Sequence, residues 1–236
     1  MDFSKIAADF EQSFIAADRW KAMLGGLGTT LKITFLALII GATLGVLVAV
    51  VRSLYIQMSY QNKKSGLLTF LNGLCQVYVT IIRGTPMMVQ LLIMYFVIMA
   101  SSTNTTLVAV LSFGINSGAY VSEIIRGGIM SIDKGQSEAG RSLGLSYVQT
   151  MRFIVIPQAI KNILPALGNE FIALLKETSI VNVIGMIDLT KWALNVQGRT
   201  YQAFMPFLGI AAVYLILVMI LTKLVSMLER SLNKDV

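Results

Sequence analysis

The side chains that could do chemistry in this sequence are few, and their kinds exclude more than they allow. There is no histidine, and the single cysteine is Cys75. A histidine-based triad, a disulfide framework and most zinc sites are therefore excluded. No glycine-rich loop leads into Lys-Ser or Lys-Thr to cradle nucleotide phosphates. What is left is a set of polar residues inside apolar sequence. Asn116, Ser117, Tyr120 and Glu123 interrupt one apolar run, and Asn169, Glu170, Lys176 and Glu177 another. A charge at mid-membrane costs about 2.5–3.5 kcal/mol on insertion scales, so each such residue invites a ligand or a partner. Asn116, Tyr120 and Glu123 share a helix face by their spacing of four and three. Asn169 and Glu170 follow Pro165 and Gly168, which disrupt a helix and free backbone groups, as broken helices do at midplane sites. Together the set offers anionic acceptors for an ammonium and donors for a carboxylate. Arg83 adds a cation that suits a pathway, a gate or a helix end. Plainer readings stand beside these: Glu123 pairing with Arg126, Lys176 and Glu177 snorkelling to an interface, Asn116 bonding a neighbouring helix.

The elements that position these residues follow from composition. The chain has 236 residues, 56% hydrophobic and 13% charged, with a mean hydropathy of +0.73; a soluble domain carries about 25% charged residues. The apolar residues come in long blocks, which in lipid means helices, since only helices and closed barrels satisfy their own backbone. The blocks lie at 31–51, 67–82 with 87–100, 107–125, 164–175 with 180–189, and 204–228. They predict an all-α membrane protein of about five crossings. Gly41, Gly45 and Ala49 make a small-residue stripe for close packing on the first crossing. Arg83-Gly84-Thr85-Pro86 predicts a break within the second, with Thr85 as N-cap and Pro86 opening the next helix. Residues 1–28 hold four acidic residues and no secretory pattern, while Phe3, Ile6, Phe10, Phe14 and Ala17 recur at helical spacing, as in an amphipathic surface helix. The domain reading is thus an N-terminal amphipathic segment 1–28, a transmembrane domain 29–230 and a tail 231–236. Trp20, Trp192 and Tyr201 fall near predicted boundaries, where interface anchors sit.

The net charge of +7 is spread singly between apolar blocks, the pattern of orienting charges and not of a nucleic-acid footprint. With five crossings, one side receives Arg52, Lys63, Lys64, Arg126, Lys134, Arg141, Arg152, Lys161, Arg230 and Lys234, ten basic residues; the other receives Lys5, Arg19, Lys21, Lys191 and Arg199, five. This places the N-terminus outside, the C-terminus in the cytoplasm, and the loop 126–157 inside. Within it, residues 131–157 read as a helical hairpin. Asp133 and Gln136 suit a capping box, Gly144 a left-handed C-terminal cap, and Ser146 with Gln149 a second box opening a helix that runs to Pro157. Its apolar residues Leu143, Leu145, Tyr147, Met151 and Phe153 need a partner or the bundle to cover them.

This loop also carries a resemblance. Glu138-Ala139-Gly140-Arg141-Ser142-Leu143-Gly144, followed after nine residues by Ile154-Val155-Ile156-Pro157, resembles the EAA loop of ABC importer permeases. It departs from that pattern at Gly140, where the pattern has Ala, and at Ile156, where it has Leu; Gly140 should loosen its helix by about 1 kcal/mol. Arg83-Gly84-Thr85-Pro86 with Val89-Gln90 is similar to a segment of permeases for polar amino acids of the histidine, glutamine and arginine type. So are Pro157-Gln158-Ala159-Ile160, Leu164-Pro165-Ala166 and Asn169-Glu170. The resemblance covers roughly residues 25–230.

The resemblance implies a type I ABC importer (MetI-like) fold and a permease subunit, without catalysis of its own, in a bacterial cytoplasmic membrane. Two cytoplasmic ATPase subunits would carry the ATP and Mg, and this chain no cofactor. The partners would be a second permease copy or paralogue, an extracytoplasmic binding protein and an amino acid substrate. Glu138, Ala139, Arg141, Gly144 and Leu145 map onto the coupling interface with the ATPase. Asn116, Tyr120, Asn169, Glu170 and Arg83 are the substrate candidates; the acidic residues along the path favour a cationic amino acid, with Arg83 and Lys176 weighing against it. The alternatives are a permease for another small solute, a stand-alone secondary transporter or channel that would need no coupling loop, and an intramembrane enzyme, for which the residues are lacking.

Overall fold

The computed structural model describes residues 3–60 and 65–232. Lys63, Lys64 and most of the tail 231–236 lie outside the described residues, and with them part of the loop-charge reading. Every regular element described is helical. Helix α1 (Phe3–Phe10) leads through a wide turn Glu11–Ile15 and a 3-10 turn Ala16–Asp18 into α2 (Arg19–Tyr60); α3 (Gly66–Gly84) and α4 (Met87–Ile93, extended by a wide turn Met94–Ile98) follow. Then come α5 (Thr105–Met130), α6 (Lys134–Ser142), α7 (Tyr147–Thr150), α8 (Ile156–Glu177), α9 (Leu189–Thr200) and α10 (Phe204–Leu232).

Helices α2, α3, α5 and α10 are each long and apolar enough to cross a membrane. Helix α8, at 22 residues, reaches about 33 Å by its rise, but Asn162, Asn169, Glu170, Lys176 and Glu177 make it the most polar of the long helices. It runs antiparallel along α5, with Gly128 against Ile163 near one end and Ser117 bonded to Glu170 further on. It therefore traverses the same depth in the opposite sense, and with α3–α4 as a single interrupted pass the bundle has about five crossings.

The centre of the fold is the α2–α5 pair. Gly41 faces Ser117 and Gly118, Gly45 faces Val121, and Gly114 faces Ile40. The numbers rise together, so the helices run parallel. A Cβ added at Gly41 would lie 2.8 Å from Ser117 Cβ, so the stripe read from the sequence is what lets the two backbones approach. Ile33, Ala37, Leu91, Phe113 and Leu174 complete the core beside it.

Several local expectations are corrected. Helix α2 begins at Arg19 and runs past Arg52 to Tyr60, beyond the apolar block 31–51 at both ends, because hydropathy marks the lipid-buried part of a helix and not its caps. The break after α3 is present, but Thr85 closes the preceding helix instead of opening the next: its hydroxyl donates to Ile81 O (2.8 Å). The Gln90 side-chain amide bridges the gap, donating to Ile82 O (2.7 Å) and to Thr85 Oγ1 (2.8 Å). Trp192 is no interface anchor; it is buried, its indole N–H donating to Arg19 O (2.9 Å). Phe14 slots between Trp192 and Gly209, so the N-terminal segment straps the α9–α10 corner.

Candidate coupling loop and polar centre

The loop between α5 and α8 is built from caps. Asp133 accepts from Gly135 N (2.7 Å) and starts α6. Gln136 does not return the bond as a capping box requires; it accepts from Gln158 Nε2 across the hairpin (3.4 Å). Gly144 takes φ +82°, and Leu145 N donates to Gly140 O (3.1 Å), the six-to-one closure of a Schellman motif. Ser146 and Gln149 form the reciprocal box in full. The second helix does not stop at Pro157. Helix α7 runs through a π-type turn, Met151–Val155, into α8. The widened turn precedes Pro157, a residue with no N–H to give to a regular ladder.

Gly140 has a reason to depart from alanine. A Cβ there would stand 2.8 Å from Ile154 Cδ1 and 3.1 Å from Thr150 Cγ2, so the close approach of the two arms favours glycine despite its helix penalty. Glu138, Ala139, Arg141 and Gly144 are exposed and Leu145 is half-buried. Around them Leu143 (81% exposed), Val148 and Phe153 stand bare. Tyr147 packs more closely, and burial pushes its hydroxyl above the usual phenol value. A stiff hairpin with an uncovered apolar face is what a docking knob requires.

The polar residues of the bundle fall into three groups. Asn116, buried on α5, donates to Gln90 Oε1 (3.0 Å) and so ties the core to the α3–α4 break. Ser117 donates to Glu170 Oε1 (2.8 Å), joining α5 to α8. Toward the coupling-loop end, Glu123 is gripped by Arg52 of α2 and by Arg126 (2.7 Å), with Arg83 of α3 at 3.9 Å. Arg83 also lies over the Tyr120 ring, 5.2 Å from its centroid. Asn116, Tyr120, Arg83 and Glu170 are thus all held on or against α5. Asn169 is exposed and shares none of these contacts. The expected Glu123–Arg126 pair is present, but the carboxylate is the hub of a larger cluster.

Two residues carry more in the structure than their place in the sequence suggests. By sequence Arg52 reads only as a loop charge, although a cation directly after an apolar block can still lie on the helix. Lys223 lies inside the apolar run 204–228, where a lone charge is itself a signal.

Residues 65–234 match the family described as "Binding-protein-dependent transport system inner membrane component". The putative glutamine transport system permease protein GlnP of Rickettsia typhi is 40% identical over 213 residues, 89% of this chain and 92% of that protein. The arginine transport system permease protein ArtQ of Bacillus subtilis is 38% identical over 216 residues, 90% of this chain and 93% of the relative. Among solved structures, an amino acid ABC transporter crystallised with histidines aligns with a TM-score of 0.82 and 40% identity over 98% of this chain and 99% of that one. The inward-facing MetNI methionine ABC transporter aligns at 0.74 and 18% identity over 93% and 100%, a likeness of fold. This chain belongs to the family of binding-protein-dependent transport system inner membrane components, multi-pass membrane proteins that serve as the permease subunits of ABC transporters.

Proposed function

We propose that the chain forms the translocation pathway of an ATP-driven importer for a polar amino acid in a bacterial cytoplasmic membrane. Its N-terminus lies outside and its C-terminus inside. It works with a second permease copy or paralogue, two cytoplasmic ATPase subunits that hold ATP and Mg, and an extracytoplasmic binding protein. The observation that carries this reading is the hairpin 131–157: capped at its helix ends, apolar on its free face, joined to α5 by the short turn 131–133 and running on through a wide turn into α8. Glu138, Ala139, Arg141, Gly144 and Leu145 present its tip to the ATPase, and closure of the motor rocks the two helices as rigid bodies.

Amino acid cargo is supported by the relatives, whose names concern glutamine and arginine, and by the charges of both signs near α5. Glu170 offers an acceptor for an ammonium and Arg83 donors for a carboxylate, with Asn116, Tyr120 and Asn169 as the further candidates. The test is the complex purified with its ATPase and binding protein and reconstituted. One amino acid in a panel should stimulate ATP hydrolysis and be taken up, and Leu143→Glu should stop the ATPase co-purifying. Retention of the ATPase by Leu143→Glu, or uptake indifferent to ATP, overturns the proposal.

A further inference from the structure

The break between α3 and α4 is closed by side chains whose donors and acceptors admit one arrangement. In a continuous helix Ile82 O would accept from the backbone of residue 86, but that residue is Pro86, which has no N–H. The Gln90 amide nitrogen takes its place, donating to Ile82 O (2.7 Å), with Thr85 O (3.1 Å) and Thr85 Oγ1 (2.8 Å) as further acceptors. The Thr85 hydroxyl has already spent its proton on Ile81 O (2.8 Å), so it too can only accept. Every group met on this side of Gln90 is an acceptor, and only the nitrogen end of the amide can face it.

The constraint passes to α5. With its nitrogen held at the break, Gln90 turns Oε1 toward Asn116, and Asn116 Nδ2 donates to it (3.0 Å). Turning the Asn116 amide over would set two oxygens against each other, neither with a proton to share. Gln90 therefore decides which end of this amide, on a residue only 4% exposed, faces the break. The other end, Oδ1, is left over. Among the described residues nothing donates to it, yet it is not sealed in as the orphaned Thr30 Oγ1 and Tyr214 OH are, so some of its surface stays open. It stands one residue from the bond between Ser117 and Glu170.

We propose that Gln90 is a positioning residue for cargo: by holding the Asn116 amide in one orientation, it presents Asn116 Oδ1 as an acceptor for an N–H of the translocated amino acid. This deepens the amino acid reading above and rests on it. Gln90 itself touches no cargo; it acts through the polarity of the series Ile82, Gln90, Asn116. An asparagine free to turn would offer its N–H end as readily and lose its selectivity for a donor. An aspartate at 116 would need no such guide, because both of its ends are oxygens.

The experiment measures equilibrium binding to the assembled permease–ATPase complex without its binding protein, so that the affinity belongs to the membrane subunits. The probes are tritiated arginine and glutamine, then whichever amino acid the uptake panel selects. Gln90→Met should weaken binding about tenfold, the scale of one hydrogen bond to a charged group, and should lower the melting temperature. Gln90→Met/Asn116→Asp should regain the affinity but not the melting temperature, a recovery that a merely structural Gln90 would not allow. Thr85→Val, which removes a cap at the break and leaves the Asn116 bond, should melt earlier and bind as the wild type. If Gln90→Met does not assemble, Gln90→Glu takes its place: its carboxyl still accepts from Asn116, and the affinity should be kept. Full affinity in Gln90→Met, no recovery in the double variant, or lost affinity in Gln90→Glu overturns the inference alone. A wild-type complex that binds no amino acid overturns the cargo reading and the inference with it.

Discussion

Glu123 shows how a single carboxylate can organise three elements. Of its cation partners Arg52 is largely enclosed, with its side chain 19% exposed, while Arg126 is more open and Arg83 stands at 3.9 Å with its side chain 44% exposed against 16% for Glu123. Removing the hub leaves Arg52 facing like charge with no counterion, at a cost of about 3 kcal/mol; removing Arg83 loses a screened pair worth about 0–1 kcal/mol. Glu123→Gln should therefore lower the thermal midpoint of the purified complex by several degrees and Arg83→Gln by little, as a melting series would read. Gly144 makes a complementary case. No atom crowds the place of its Cβ, but its φ of +82° is strained for any other residue. Gly144→Asn, which tolerates the left-handed region, should keep uptake near the wild-type rate. Gly144→Val, at about 1–2 kcal/mol of backbone strain, should reduce it severalfold with the bundle still folded by circular dichroism.

Among the elements, the α2–α5 pair decides whether the bundle forms. Gly41 has no room for a side chain: besides Ser117 Cβ, the added methyl would meet the Gly118 backbone nitrogen at 3.2 Å, which cannot rotate away. Gly41→Val should cost about 1–3 kcal/mol by overpacking and appear as lower yield and an earlier melt. Gly73→Ala on α3, where nothing lies within 4 Å, should be neutral or slightly stabilising through helix propensity. Equal damage from both substitutions would mean that the close approach of α2 and α5 does not matter to stability.

The whole molecule divides into two ends with different tasks. At one end the coupling hairpin projects a bare apolar face; at the other, α1 and the turn after it strap the α9–α10 corner through Phe14, with Gln202 donating to Asp9 (2.6 Å). The orientation proposed from the loop charges puts the hairpin in the cytoplasm and Tyr201, 92% exposed, outside. In a Cys75→Ser background, an impermeant maleimide applied to intact cells should label Tyr201→Cys and leave Ala139→Cys unlabelled until the membrane is opened. The reverse pattern would invert the topology and remove the hairpin from any contact with ATP.

Composition, block length and loop chemistry were enough to read an all-helical membrane bundle of about five passes, the small-residue stripe on α2, and the hairpin with its left-handed Gly144 and its Ser146–Gln149 box. These are local properties, since hydropathy, capping and backbone conformation depend on residues a few positions apart. Tertiary structure alone decided that Arg52 reaches Glu123 across 71 residues of chain, that Glu170 is bonded through Ser117, that Trp192 is buried, and that Asn169 faces away from the cluster its neighbour joins. Those facts turn on which faces of distant helices meet. A periodic pattern fixes the face of each helix but not its partner, because several pairings bury the same apolar area. Close approaches such as Gly41 on Ser117 select among them.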